Sequence, residues 1–279
     1  MSTLLKFFSL TYAMTWTCFF AAASVSGGTA GFRGPLFLLG TIAPSLVALA
    51  LTAWADGREG AQALLGRILR WQVGVRWYVF ALGYMSVVKL AAALVHRAVT
   101  GVWPRFGETP LYVMAGAILI STWVQAGEEI GWRGYALPRM AARLGLAPAS
   151  VLLGIIWATW HLPLFFIPGT STTGQSFPVY LAQVTAVSVA MAWLYWKIEG
   201  SLLLTMILHA AINNTKDIVP SAVAAAASPW TLSSSPIAWI TAALLWICAA
   251  GFLVQMSRAD SKRRLYSPGT AGVRLYSDP

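Results

Sequence analysis

Charge is what this sequence has least of. Asp, Glu, Lys and Arg make up only 10% of its 279 residues, against about 25% in a soluble domain, so a water-exposed globule could not be covered with this set. Acidic residues are the scarcer kind, nine against nineteen basic ones, for a formal net charge of +10. Cysteine is limited to Cys18 and Cys248. Both lie inside apolar runs, which argues against a disulfide framework and against a cysteine-based metal site. Short alternating strands, the mark of a transmembrane barrel, are missing, as are internal repeats and low-complexity tracts. No Lys/Arg stripe interleaved with aromatics stands outside the apolar segments, so nucleic acid is not an expected partner. The excess of basic residues is instead the kind that membrane proteins keep in cytoplasmic loops.

What is present is apolar sequence, 58% of the chain, in eight segments: 4–25, 35–55, 77–95, 111–134, 150–167, 177–196, 201–219 and 236–256. Gly, Pro and charge punctuate the gaps, as at Asp56-Gly57-Arg58 and Pro168-Gly169. Runs of this length and continuity suit helices, which with closed barrels are the only structures that span lipid. The expected fold is all-α, a polytopic membrane helix bundle with about eight transmembrane helices. Residues 1–256 are read as a single transmembrane domain and residues 257–279 as a basic cytoplasmic tail. The first segment is read as a retained span, its apolar run being too long for a signal peptide. An even span count puts both termini on one side. That side then collects fourteen Lys and Arg against four on the other, so both termini are expected in the cytoplasm of a multi-pass cell-membrane protein. The Ala/Gly/Arg/Trp-rich composition points to a bacterial inner membrane. The lipid bilayer is the first expected partner, with the basic residues after Met256 set to meet anionic lipid.

Ionisable groups within lipid are costly, so they are the functional candidates. Lys89, midway along the third segment, pairs or snorkels. His96 sits at a span end, and Lys197 and Glu199 flank a short turn. The fourth segment ends in Glu128-Glu129-Ile130-Gly131-Trp132-Arg133. Glu129 and Arg133 are four apart, in the favourable order for a helical ion pair. Glu128 projects about 100° away without that partner, and a carboxylate at low dielectric gains proton affinity, as a general base or acid needs. From this hexad alone two readings stay open, a functional carboxylate or two interfacial glutamates with a structural arginine. Two of the three histidines lie within apolar segments. His161 comes out about 16 Å deep and His209 about 12 Å deep at the helical rise per residue, and Asn213 lies one turn beyond His209 on the same face. A lone intramembrane histidine is more often a packing residue. Two carboxylates, an arginine, two histidines and an amide at one level read instead as an active site that uses water.

These motifs, Glu-Glu-x-x-x-Arg, then aromatic-x-x-x-His, then His-x-x-x-Asn, each on its own span, resemble the CPBP family of intramembrane proteases. That family includes the type II CAAX prenyl endopeptidases related to Rce1 and bacterial bacteriocin-processing or immunity relatives. Trp157 stands where the family commonly has Phe. The resemblance implies an intramembrane endopeptidase hydrolysing a peptide bond of a membrane-associated protein or peptide, of CAAX or bacteriocin type. It implies that Glu128 and His161 activate water, that His209 and Asn213 position it or stabilise the oxyanion, and that Glu129, Arg133 and Trp157 support the site. It leaves open a divalent metal such as Zn2+, whose ligands would be Glu128, His161 and His209. His-Glu-x-x-His is absent, which favours the metal-independent glutamate reading with no cofactor. The competing readings are a non-proteolytic membrane immunity or scaffold protein and a proton-coupled transporter; the latter calls for inverted repeats, which the chain lacks.

Overall fold

The computed structural model describes residues 3–25, 31–221 and 228–266, and within them all regular structure is helical. Each of the eight apolar segments forms helix. Five helical stretches are long and apolar enough to cross a bilayer unaided: Thr3–Ser24, Arg33–Leu69, Val75–Thr100, Phe177–Lys197 and Pro236–Ser261. The protein is a multi-pass membrane helix bundle. The remaining three segments are the ones that carry Glu128, His161 and His209. They fall short by length: their main helices, Leu111–Val124, Leu146–Trp160 and Leu202–Thr215, have only 14, 15 and 14 residues.

Helices α1 (Thr3–Ser24) and α2 (Arg33–Gly66) run antiparallel, with Lys6 over the Trp54 ring at one end and Phe19 against Phe37 at the other. The sequence places a gap at Asp56-Gly57-Arg58. The chain does break there, Gly57 taking φ +69°, but helix resumes at once and continues to Gly66. Helix α3 (Val75–Thr100) follows and ends on Gly101 at φ +77°. The fourth segment is not one helix. It comprises α4 (Leu111–Val124), a single turn α5 (Ala126–Glu129) and most of a π-helical stretch, Ile130–Ala136; α6 (Leu137–Leu144) follows beyond its expected end. A π-helix opens the backbone by about one residue per turn and is frequent at functional sites. Here it begins directly after the two glutamates.

Small residues let this irregular segment press against α2. A Cβ on Gly127 would fall 2.7 Å from Ile42 Cγ2, and one on Gly131 would fall 2.6 Å from the Pro44 carbonyl carbon. The pair is a Gly-x-x-x-Gly spacing, which lets helices approach in lipid where no hydrophobic drive joins them. The Ser45 hydroxyl adds a 2.6 Å bond to the Ala126 carbonyl. Helices α7 (Leu146–Trp160) and α8 (Phe177–Lys197) meet in the same way: a Cβ on Gly154 would lie 2.7 Å from Thr185 Cα, and Ser188 Oγ donates to Ser150 O at 3.1 Å. Helix α7 starts four residues before the apolar segment read from sequence and stops at Trp160, because Pro163 cannot continue it. Helices α9 (Leu202–Thr215) and α10 (Pro236–Tyr266) complete the bundle.

Basic segments assigned to one side by the span count gather at one end of the molecule. Arg70 donates to Glu199 O, Ser201 Oγ to Arg70 O, and Arg67 to Tyr195 Oη. Helix α10 runs ten residues past Met256, and there Asp260 accepts the Leu146 N–H at 2.8 Å, capping α7. The first part of the expected tail is therefore helical and docked. Residues 267–279 lie outside the described residues. Cys18 and Cys248 are unbonded thiols.

Candidate active site

The site is built on Trp157. Its indole N–H donates to Glu128 Oε2 at 2.8 Å. Its backbone carbonyl accepts from His161 Nδ1 at 2.8 Å, one turn further on. Arg133 lies over its ring at 4.3 Å, and the rings of His209 and His161 meet it edge-on at centroid distances of 5.2 and 5.7 Å. Glu129, Arg133, Glu128, Trp157 and His209 are all buried, the first two completely.

Glu129 Oε1 accepts twice, from Arg133 Nη1 and from His209 Nδ1, each at 2.8 Å. The i, i+4 pair read from sequence therefore forms, and it also holds the histidine of α9. Both histidines use Nδ1–H for positioning, one to a carbonyl and one to a carboxylate. That choice of tautomer leaves Nε2 as the chemically available nitrogen of each ring. Glu129 Oε2 and Arg133 Nε and Nη2 are buried and have no hydrogen-bond partner among the described residues, so the site keeps polar valence beyond its own pairing.

Why these residues sit here follows from the elements. The hydrogen bonds of α7's last turn are taken over by α1: Tyr12 Oη bonds Ile156 O and Thr159 Oγ1, Trp16 Nε1 donates to Trp160 O at 3.1 Å, and Trp160 Nε1 donates to Thr15 Oγ1 at 2.9 Å. Helix ends leave carbonyls unpaired, and these contacts fix the turn that holds His161. Behind it Trp132 packs edge to face with both Trp160 and Phe7, and Tyr135 lies tilted against Phe7, as an aromatic wall. Helix α9 is started by Ser201, whose hydroxyl accepts the Leu204 N–H, and reaches His209 in its second turn.

The other expected residues fall into two groups. Asn213 is exposed, one turn past His209, outside the buried cluster. Its neighbour Asn214 is the amide that is tied in, donating to Ser121 Oγ at 2.9 Å and to Ala210 O. Lys89 is buried away from the cluster, donating to Ser221 Oγ at 2.8 Å. Sequence reasoning missed Tyr180 of α8, whose ring packs edge-on against His161 at 5.6 Å, and the bracing set Tyr12, Thr15 and Trp16. Tyrosine and tryptophan in an apolar run give no signal that separates a bilayer anchor from a site residue.

A metal fits this arrangement poorly. No group of three or more His, Cys, Asp or Glu side chains among the described residues is placed to hold an ion, and one oxygen of Glu128 is already engaged by the indole.

Fold and site together define a class: an integral-membrane helix bundle with a buried glutamate, arginine and histidine cluster assembled from the irregular fourth segment and helices α7 and α9. Comparison with known proteins shows what it is similar to. Residues 108–215, which contain all of the motif residues, match the family model for type II CAAX prenyl endopeptidase Rce1-like proteins. The chain is also 24% identical over 232 residues to CAAX prenyl protease 2 of Methanococcus maripaludis, a match covering 76% of this chain and 83% of that protein.

Proposed function

We propose that this protein is an intramembrane endopeptidase that hydrolyses a peptide bond in a membrane-associated protein or peptide, using water activated by Glu128 and His161. The observation that carries the reading is the convergence of Glu128, an arginine and two histidines on one buried tryptophan, with Glu129 tying the arginine to one of the histidines, in a segment that matches the Rce1-like family model. A CAAX-type junction is the first substrate class to try, since the archaeal relative is named for it.

The chemistry divides among the residues by what each atom can do. Glu128 Oε1 and His161 Nε2 are the free proton acceptors. Either takes a proton from water as its oxygen bonds to the scissile carbonyl carbon. The oxyanion that forms needs donors aimed at it. His209 supplies one when its Nε2 carries a proton, the imidazolium being stabilised by the Glu129 carboxylate on Nδ1. Asn213, one turn along α9, supplies the second from the exposed side. Collapse of the intermediate breaks the C–N bond, and the proton held by Glu128 or His161 passes to the leaving amine. Arg133 neutralises Glu129, so that two adjacent buried carboxylates do not oppose each other.

The test compares membrane proteins from cells carrying wild type or E128Q, reading newly exposed peptide termini by mass spectrometry. Termini present with wild type and reduced by about 10²–10⁴-fold in rate with E128Q are the expected result and identify the substrate. Equal termini at equal expression would overturn the reading and favour a partner-binding or immunity role.

A further inference from the structure

The indole of Trp157 does two things at once, and they are separable. Its ring fills space between Arg133, His161 and His209. Its N–H makes a single directed bond to one oxygen of Glu128. Ring volume would be served by any aromatic residue at this position. The N–H would not.

We propose that Trp157 is a positioning residue that, through its indole N–H, fixes the plane of the Glu128 carboxylate and so aims its free oxygen at the reacting water. The inference rests on the protease reading of the site. A glutamate carboxylate turns about its last torsion within broad wells, so the plane of a buried Glu128 held at neither oxygen would swing over a wide range. The 2.8 Å bond to Oε2 selects one setting and leaves Oε1, which takes no hydrogen bond from the described residues, as the proton acceptor. Because the same residue's carbonyl holds His161 Nδ1–H at 2.8 Å, one residue sets the direction of both proton-handling groups. Their relative geometry then follows from the rigid turn of α7 rather than from two independent side chains.

Arg133 strengthens the arrangement. A guanidinium over an indole face is attracted by the ring quadrupole, and it draws electron density from the ring, which makes the N–H a better donor. Arg133 is also bonded to Glu129. A single cation thereby serves both neighbouring carboxylates, Glu129 directly and Glu128 through the polarised indole. This solves the problem of placing two glutamates side by side in a buried site with one arginine between them.

The experiment replaces Trp157 with 3-benzothienylalanine, which keeps the ring's size and face and exchanges N–H for sulfur. W157F serves as a coarser second variant and E128Q as reference. The kinetic probe is an internally quenched peptide copying the junction cleaved by wild type, in lipid vesicles. The isostere is expected to lower kcat by about 10- to 100-fold, the scale set by misplacement of a reacting group, with KM unchanged within about twofold. A second readout needs no substrate: in indole-15N-labelled protein in detergent, the Trp157 N–H proton signal, assigned by its loss in W157F, is expected to move upfield in E128Q. An isostere with wild-type kcat, or a Trp157 signal indifferent to E128Q, would overturn the proposal while leaving the protease reading intact. Undiminished turnover in E128Q would instead remove the reading on which it rests.

Discussion

At the scale of single residues, the buried ion pair decides more than the catalytic candidates do. Arg133 and Glu129 are both fully excluded from solvent. Taking either charge out of water costs several kcal/mol, which the partner offsets only if it stays. Arg133→Ala leaves Glu129 as an uncompensated buried anion that still carries His209, and removes the cation from the Trp157 ring. We expect a loss of about 3–5 kcal/mol, read as a lowered thermal midpoint of the detergent-solubilised protein. Arg133→Lys keeps the charge but loses the planar group that can bond Glu129 and lie on an indole together, so it should fold nearer to wild type and still turn over poorly. Equal thermal midpoints for Arg133→Ala and wild type would show that the pair carries no structural weight. This pair was legible in the sequence because i, i+4 spacing alone determines it. The bond from His209 was not, since it joins residues 80 apart, and no local rule links them. Nor was the indole bond to Glu128, because the same tryptophan could equally have faced lipid.

At the scale of elements, the apolar runs located every helix except the short α6, because lipid leaves the backbone no other way to satisfy its hydrogen bonds. The runs could not reveal where helices are irregular. The break of the fourth segment into α4, α5 and a π-helical stretch has no hydrophobic signature, since an i→i+5 turn is made of the same residues as an i→i+4 one. A trace was visible in the glycines at 127 and 131. Gly131 is where α2 comes closest, and an added Cβ would lie 2.6 Å from main-chain atoms of Pro44 that cannot swing aside. Gly131→Ala should therefore destabilise the protein by about 1–3 kcal/mol, the usual cost of overpacking, although alanine is the better helix former. The same push displaces Glu128 and Glu129, three and two residues earlier, so turnover should fall by more than stability explains. Comparing thermal midpoint with turnover for Gly131→Ala against Gly83→Ala, on α3 with open space around its Cβ position, isolates the contact. A Gly131→Ala protein matching wild type in both would show that the α2 contact is loose.

At the scale of the whole molecule, the sparse charge is sorted, and the sorting predicts how the bundle sits. The fold brings Lys6, Arg67, Arg70, Arg139 and the start of α9 to one end, through contacts of Lys6 with Trp54, Arg70 with Glu199 and Ser201, and Arg139 with Asp56. Asp260, beyond the last span, caps α7 at this same end, so α1 begins and α10 finishes on one side of the bundle. Only an even number of crossings permits this. Because Lys and Arg resist transfer across a membrane and are retained on the cytoplasmic side, that end is expected to face the cytoplasm. Single cysteines placed at Ser2 and Ser277, in a Cys18→Ala, Cys248→Ala background, should both resist a membrane-impermeant maleimide in intact cells and react after permeabilisation. A cysteine at Thr109, exposed in the loop between α3 and α4, should react in both conditions. Labelling of one terminus but not the other in intact cells would break the even count. Labelling of both termini with protection of position 109 would keep the count and invert the protein.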